Sequence, residues 1–101
     1  MASSEPSHWP TKEHRELFAA IASLRTPEEA EHFLRDLCTL GELDAMANRW
    51  QVARLLNEGL PYLEVARRAH ASTTTVTRVA QWLHHGEGGY ELALRRRRRS
   101  A

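Results

Sequence analysis

Cysteine is almost missing from this chain. Cys38 stands alone, which excludes an internal disulfide and a zinc site built from several thiolates. Long apolar runs are also missing, and the longest fall far short of the roughly 20 residues that cross a bilayer. No membrane partner is expected. No segment alternates polar and apolar residues with period two, so strands are not expected either. The opening MASSEPSHWP has no basic residue and no apolar core, unlike a secretory signal, and a cytoplasmic protein is expected. Nor does any nucleophile, metal cluster or acid pair stand at a working spacing, so the chain does not read as an enzyme. His84 and His85 are adjacent and would diverge on a helix, a poor chelate, and no metal is expected. Cys38 falls on an apolar stripe and reads as core.

What is present is a chain of 101 residues, 42% apolar and 27% charged. That suits one small globular domain, with a thin core if it stays monomeric. The net charge of +1 hides an uneven distribution. Residues 1–48 carry nine acidic and four basic side chains, residues 49–94 carry four acidic and five basic ones, and Arg95 to Arg99 form an unbroken arginine run. Positive charge in the C-terminal half is expected if that half meets a polyanion.

Residues 1–10 read as a flexible arm rich in serine and proline, with Trp9 either anchored on a partner subunit or mobile. From Thr11 onward the apolar residues keep helical spacing, and the fold class is all-α. Leu17, Phe18, Ile21 and Leu24 make a first stripe. In TPEE, Thr26 suits an N-cap, Pro27 the first helical position, and Glu29 a capping box. The stripe that follows is Ala30, Phe33, Leu34, Leu37 and Cys38. TLGE repeats this logic with Thr39 and Glu42, opening a third helix that runs to about Glu58 and stops at Gly59. This helix is apolar on more than one side: Leu43, Met46, Ala47, Trp50 and Ala53 on one stripe, Val52, Leu55 and Leu56 on another. That predicts several packing neighbours, including a second subunit. A fourth helix is expected over about 61–69, a fifth over about 73–84 capped by Ser72, and one short turn over 90–94. Trp50 reads as core or dimer interface, and Trp82 as partly exposed.

The fourth and fifth helices are short and joined by about three residues, the geometry of a helix-turn-helix over about 61–84. Its second helix opens on Ser72, Thr73, Thr74, Thr75 and Thr77. Hydroxyls donate and accept, a threonine methyl can touch a thymine methyl, and all are short enough to enter a major groove. They also suit phosphate contacts beside exposed amides. Arg67 and Arg68 would reach the DNA backbone. A plain αα-hairpin with solvated threonines fits the same pattern.

Residues 37–90, from LCTLGELDAMANRWQVARLLNEG to ASTTTVTRVAQWLHHGEGGY, resemble the Trp-repressor superfamily, and within it the YerC/YecD-type regulators. The similarity covers about half the chain. It implies an all-helical, intertwined homodimer that binds double-stranded DNA, placing one helix per subunit in successive major grooves. In the Trp repressor the corepressor lies between the central and recognition helices, held by two arginines and a threonine. By motif position these are Arg49, Arg78 and Thr39. The repressor has glycine after the recognition-helix arginine, where this chain has Val79, whose isopropyl group would fill part of the indole site. Tryptophan is therefore not the expected corepressor, and a smaller ligand or none is. Alternatively Thr39 is a helix cap, and Arg49 or Arg78 pairs with Glu42 or Asp44.

The expected function is a sequence-specific DNA-binding transcriptional regulator, a repressor by resemblance. The alternative is a helical dimeric interaction module whose arginine tail, residues 95–101, gives non-specific nucleic-acid affinity. That tail reads either as a solvated, disordered end or as an arm for a narrow minor groove.

Overall fold

The computed structural model describes residues 8–100, and among them it holds six α-helices and no strand. Part of the expected arm, residues 1–7, lies outside the described residues. The chain forms two compact units, residues 1–39 and 40–101.

In the first unit, α1 (Lys12–Ala22) starts at Thr11, whose hydroxyl accepts from the His14 N–H at 3.1 Å. The His14 ring answers by accepting the Thr11 N–H through Nδ1 at 3.0 Å, so histidine takes the place that glutamate usually fills in a capping box. Trp9 is not adrift: its ring lies 4.3 Å from His14 and 6.0 Å, edge-on, from Phe18. In α2 (Pro27–Leu37), Thr26 caps as expected, accepting from Glu29 N–H at 3.1 Å. The Glu29 carboxylate reaches one residue further back, taking the Arg25 N–H at 2.8 Å. The predicted stripes are present but open. Neither helix has a buried residue, and Phe18, Ile21 and Leu37 are 46%, 42% and 51% exposed.

The second unit carries the core. Helices α3 (Leu40–Asn57), α4 (Tyr62–Ala69), α5 (Thr73–His85) and α6 (Gly89–Ser100) pack around Val52, Ala53, Val65, Ala69, Val76 and Val79. The four valines are fully buried, each stabilising the fold by about 1.5–3 kcal/mol relative to exposure. They are spread over three helices, one each on α3 and α4 and two, three residues apart, on α5, which draws α3, α4 and α5 together. Both apolar sides of α3 reach this core, one through Ala53 and Trp50 and the other through Val52, Leu55 and Leu56, while Met46, nearer the start of the helix, stays exposed. Gly59 takes φ +86° after α3, a conformation glycine adopts without steric cost. Gly86 ends α5, where a Cβ would collide with the Trp82 carbonyl oxygen.

The C-terminal segment departs from expectation. Instead of one short turn followed by a disordered tail, α6 continues through the arginine run to Ser100. Tertiary anchoring explains this. Tyr90 stacks on Trp50 with centroids 6.3 Å apart and Leu94 is buried, so the arginines extend a helix already nucleated by packing.

Candidate nucleic-acid interface and effector cavity

Two chain reversals decide where the threonines point. At the end of α4, His70 adopts the left-handed conformation (φ 52°, ψ 43°). The Ala71 N–H donates to the Ala66 carbonyl at 3.0 Å and the His70 N–H to that of Arg67 at 3.4 Å, a Schellman closure with histidine where glycine is usual. Ser72 then caps α5, its Oγ accepting from Thr75 N–H at 3.1 Å. A third tie comes from α3. Asn48 Nδ2 donates to the Ala69 carbonyl oxygen at 2.8 Å, satisfying a group at the end of α4 that the helix leaves without a partner. Sequence reasoning missed Asn48. Its only signal was a polar amide set mid-helix among AMANRW.

The α4–α5 pair is thus a fastened helix-turn-helix, with Val65, Ala69, Val76 and Val79 in its shared core. Thr73, Thr74 and Thr77 are exposed on one face of α5, with Ser72 exposed at its start. Thr75 differs: it is half-buried, and its Oγ1 accepts from Ser72 Oγ at 3.1 Å. Arg67 and Arg68 are exposed on α4, and both are held by Glu64. Arg67 donates to both Glu64 oxygens, through Nε at 3.2 Å to one and through its terminal nitrogen to the other. Arg68 Nε donates at 2.8 Å. Hydrogen bonds from Arg67 and then Arg68 lower the Glu64 pKa to about 2, while Glu64 raises that of Arg67. Both arginines are therefore held by a carboxylate of their own helix.

Beside this face lies a cavity of about 230 Å³ lined by Ala45, Asn48, Arg49, Thr75, Arg78, Val79 and Trp82. Two of the three expected effector residues, Arg49 and Arg78, meet here. Thr39 is the last residue of the first unit, directly before α3. Among the described residues neither arginine forms an ion pair, so the alternative of pairing with Glu42 or Asp44 is not realised. Val79 belongs to the buried core as well as the cavity wall, and Trp82, half exposed, closes another side. Two guanidinium groups, an amide and a hydroxyl around so small a space fit a compact anion. As for metals, His84 and His85 hold their rings 6.4 Å apart and tilted. No helix among the described residues is long and apolar enough to cross a membrane.

Comparison with known proteins agrees with this architecture. The model of the family described as Trp repressor protein matches residues 12–98. The uncharacterized protein YerC of Bacillus subtilis (strain 168) is 44% identical over 85 residues, covering 84% of this chain and 82% of YerC. A TrpR-like protein from Eubacterium eligens superposes with a TM-score of 0.84 at 36% identity, covering 90% of this chain and 94% of that one. A proposed Trp repressor from Staphylococcus aureus gives 0.85 at 33% identity, covering 95% and 96%. Matched along most of its length by the family model and by relatives of the same fold, the chain belongs to the Trp repressor family.

Proposed function

We propose that this protein is a sequence-specific DNA-binding transcriptional regulator of the cytoplasm, acting as a homodimeric repressor rather than as a catalyst. One observation carries the reading: Thr73, Thr74 and Thr77 stand exposed on one face of α5 while the turn, the Ser72 cap and the Asn48 amide fix that face over α4. Short hydroxyl side chains on a rigid helix start suit base edges in a major groove, and Ser72 suits a phosphate. Thr75 acts on DNA indirectly, by setting the cap and one wall of the cavity. Arg67 and Arg68 exchange Glu64 for backbone phosphates. The dimer is supported by the open apolar side chains Phe18, Ile21, Leu37, Leu40 and Met46, which a second copy would cover. Arg49 and Arg78 form the effector site for a small carboxylate, and Val79 keeps an indole out; Thr39 is a candidate by the resemblance alone.

Selection from a random duplex pool tests this. The expected product is a two-fold-related site with half-sites roughly one DNA turn, about 34–36 Å, apart. A pool that stays random, with all affinity lost on deletion after Leu94, would favour a generic nucleic-acid binder instead.

A further inference from the structure

The arginine run has more structure than bulk charge requires. Like charges three and four residues apart oppose helix formation, yet α6 continues through them from the anchors Tyr90 and Leu94. A helix distributes its side chains by angle, so the arginines cannot all serve one surface. Two of them do share one. Arg95 and Arg98, three residues apart, join Asn57 at the end of α3, together with Glu91 and Leu94, around a cavity of about 280 Å³. Arg96 and Arg97 do not line it. Among the described residues neither Arg95 nor Arg98 has an ion-pair partner, and Glu91 does not pair with Arg95 one turn on. Two unpaired guanidinium groups therefore share a slot with an amide, a buried leucine and one carboxylate. The slot shares no lining residue with the effector cavity. Along α3, Asn57 lies nine residues from Asn48, about 14 Å at helical rise.

We propose that Asn57, Arg95 and Arg98 form a second anion site, one that takes a phosphate group of a nucleic-acid backbone away from the bases read by α5. Guanidinium favours phosphate because its forked donors match two phosphate oxygens at once. The Asn57 amide supplies a further neutral donor. Glu91 weakens the site by like-charge repulsion and so limits its grip on free anions. The α6 helix thereby offers two guanidinium groups to one phosphate, in place of five in a loose arm. The slot does not depend on which bases the threonines select.

The test compares two variants of the full chain that lose the same charge from different faces. Binding to a 20-base-pair duplex of scrambled sequence is followed by fluorescence anisotropy across a salt series. Arg95→Gln with Arg98→Gln is expected to weaken binding at least tenfold and to flatten the logarithmic salt slope by about 0.9, the value for the one phosphate held in the slot. Arg96→Gln with Arg97→Gln is expected to cost no more than about threefold. Asn57→Ala, neutral and on the exposed end of α3, should weaken binding severalfold without changing charge, and Glu91→Gln should tighten it. Equal losses from the two arginine pairs, or no effect of Asn57→Ala, would overturn the slot. The Asn57 side-chain amide resonance separates the sources of phosphate. A shift with the duplex at concentrations where inorganic phosphate gives none supports the backbone. A shift with inorganic phosphate alone overturns the nucleic-acid assignment. Because the scrambled duplex has no preferred site, loss of base reading in Thr74→Ala would leave these results untouched.

Discussion

Val79 does two jobs, and shortening it separates them. The side chain is fully buried among the core valines and also walls the cavity shared by Arg49 and Arg78. Val79→Ala removes two methyl groups, about 0.8 kcal/mol each in transfer free energy. The cavity left behind adds to that, bringing the cost to about 2–3 kcal/mol. For a chain of this size each kcal/mol lowers the melting temperature by roughly 4–8 °C, so a fall on the order of 8–24 °C is expected by thermal unfolding at fixed protein concentration. The same substitution enlarges the space beside Arg49 and Arg78. Tryptophan at a hundred times its dissociation constant would return about 2.7 kcal/mol, enough to restore most of the lost stability. The expected pattern is therefore a destabilised variant rescued by tryptophan and a wild type indifferent to it. Melting of the variant within about 2 °C of wild type would refute the packing argument. A wild type stabilised by tryptophan as strongly as the variant would refute the steric one.

Three further outcomes follow from the interface. Glu64 should titrate near pH 2 rather than near 4.5, followed by its carboxyl carbon resonance, because Arg67 and Arg68 hold the charged form. A carboxyl whose folded pKa is depressed stabilises the native state above its unfolded value, so the clamp's contribution should be complete above about pH 4.5 and lost between 4.5 and 2; a midpoint near 4.5 would contradict the clamp. Glu64→Gln should free both arginines and tighten binding to duplexes of every sequence severalfold, with a steeper salt slope, whereas weaker binding would mean that Glu64 serves to pre-position them. Asn48→Ala should cost about 1–3 kcal/mol by leaving the Ala69 carbonyl without its donor and should speed amide exchange at Thr75; unchanged stability and exchange would remove Asn48 from the scaffold.

Much of this was legible in the chain because it is written locally. Thr26, Pro27 and Ser72 are capping residues whose preference arises within one turn of backbone, and the structure places each at its helix start. Gly59 is legible for the same reason. The helix-turn-helix spacing and the threonine run also depend only on neighbours in sequence. What escaped depends on distant parts of the chain. Asn48 bonds a carbonyl 21 residues away, and an asparagine inside a helix reads equally well as solvated surface. The arginine helix defies local electrostatics because Tyr90 and Leu94 anchor it from outside the run. Thr75 belongs to the threonine run, and its place beside Arg78, Val79 and Trp82 in the cavity wall depends on packing that a run of like residues does not reveal. The Glu64 clamp is local, at spacings of three and four, but the same arginines fit a DNA backbone equally well by sequence.

The most direct measurement compares the affinity for the selected operator with that for its scrambled duplex, before and after Thr74→Ala with Thr77→Ala. If those hydroxyls read base edges, the ratio should fall by an order of magnitude or more, taking about 1–3 kcal/mol per lost base contact, while affinity for scrambled DNA holds. An unchanged ratio, or equal loss on both duplexes, would contradict base reading by α5.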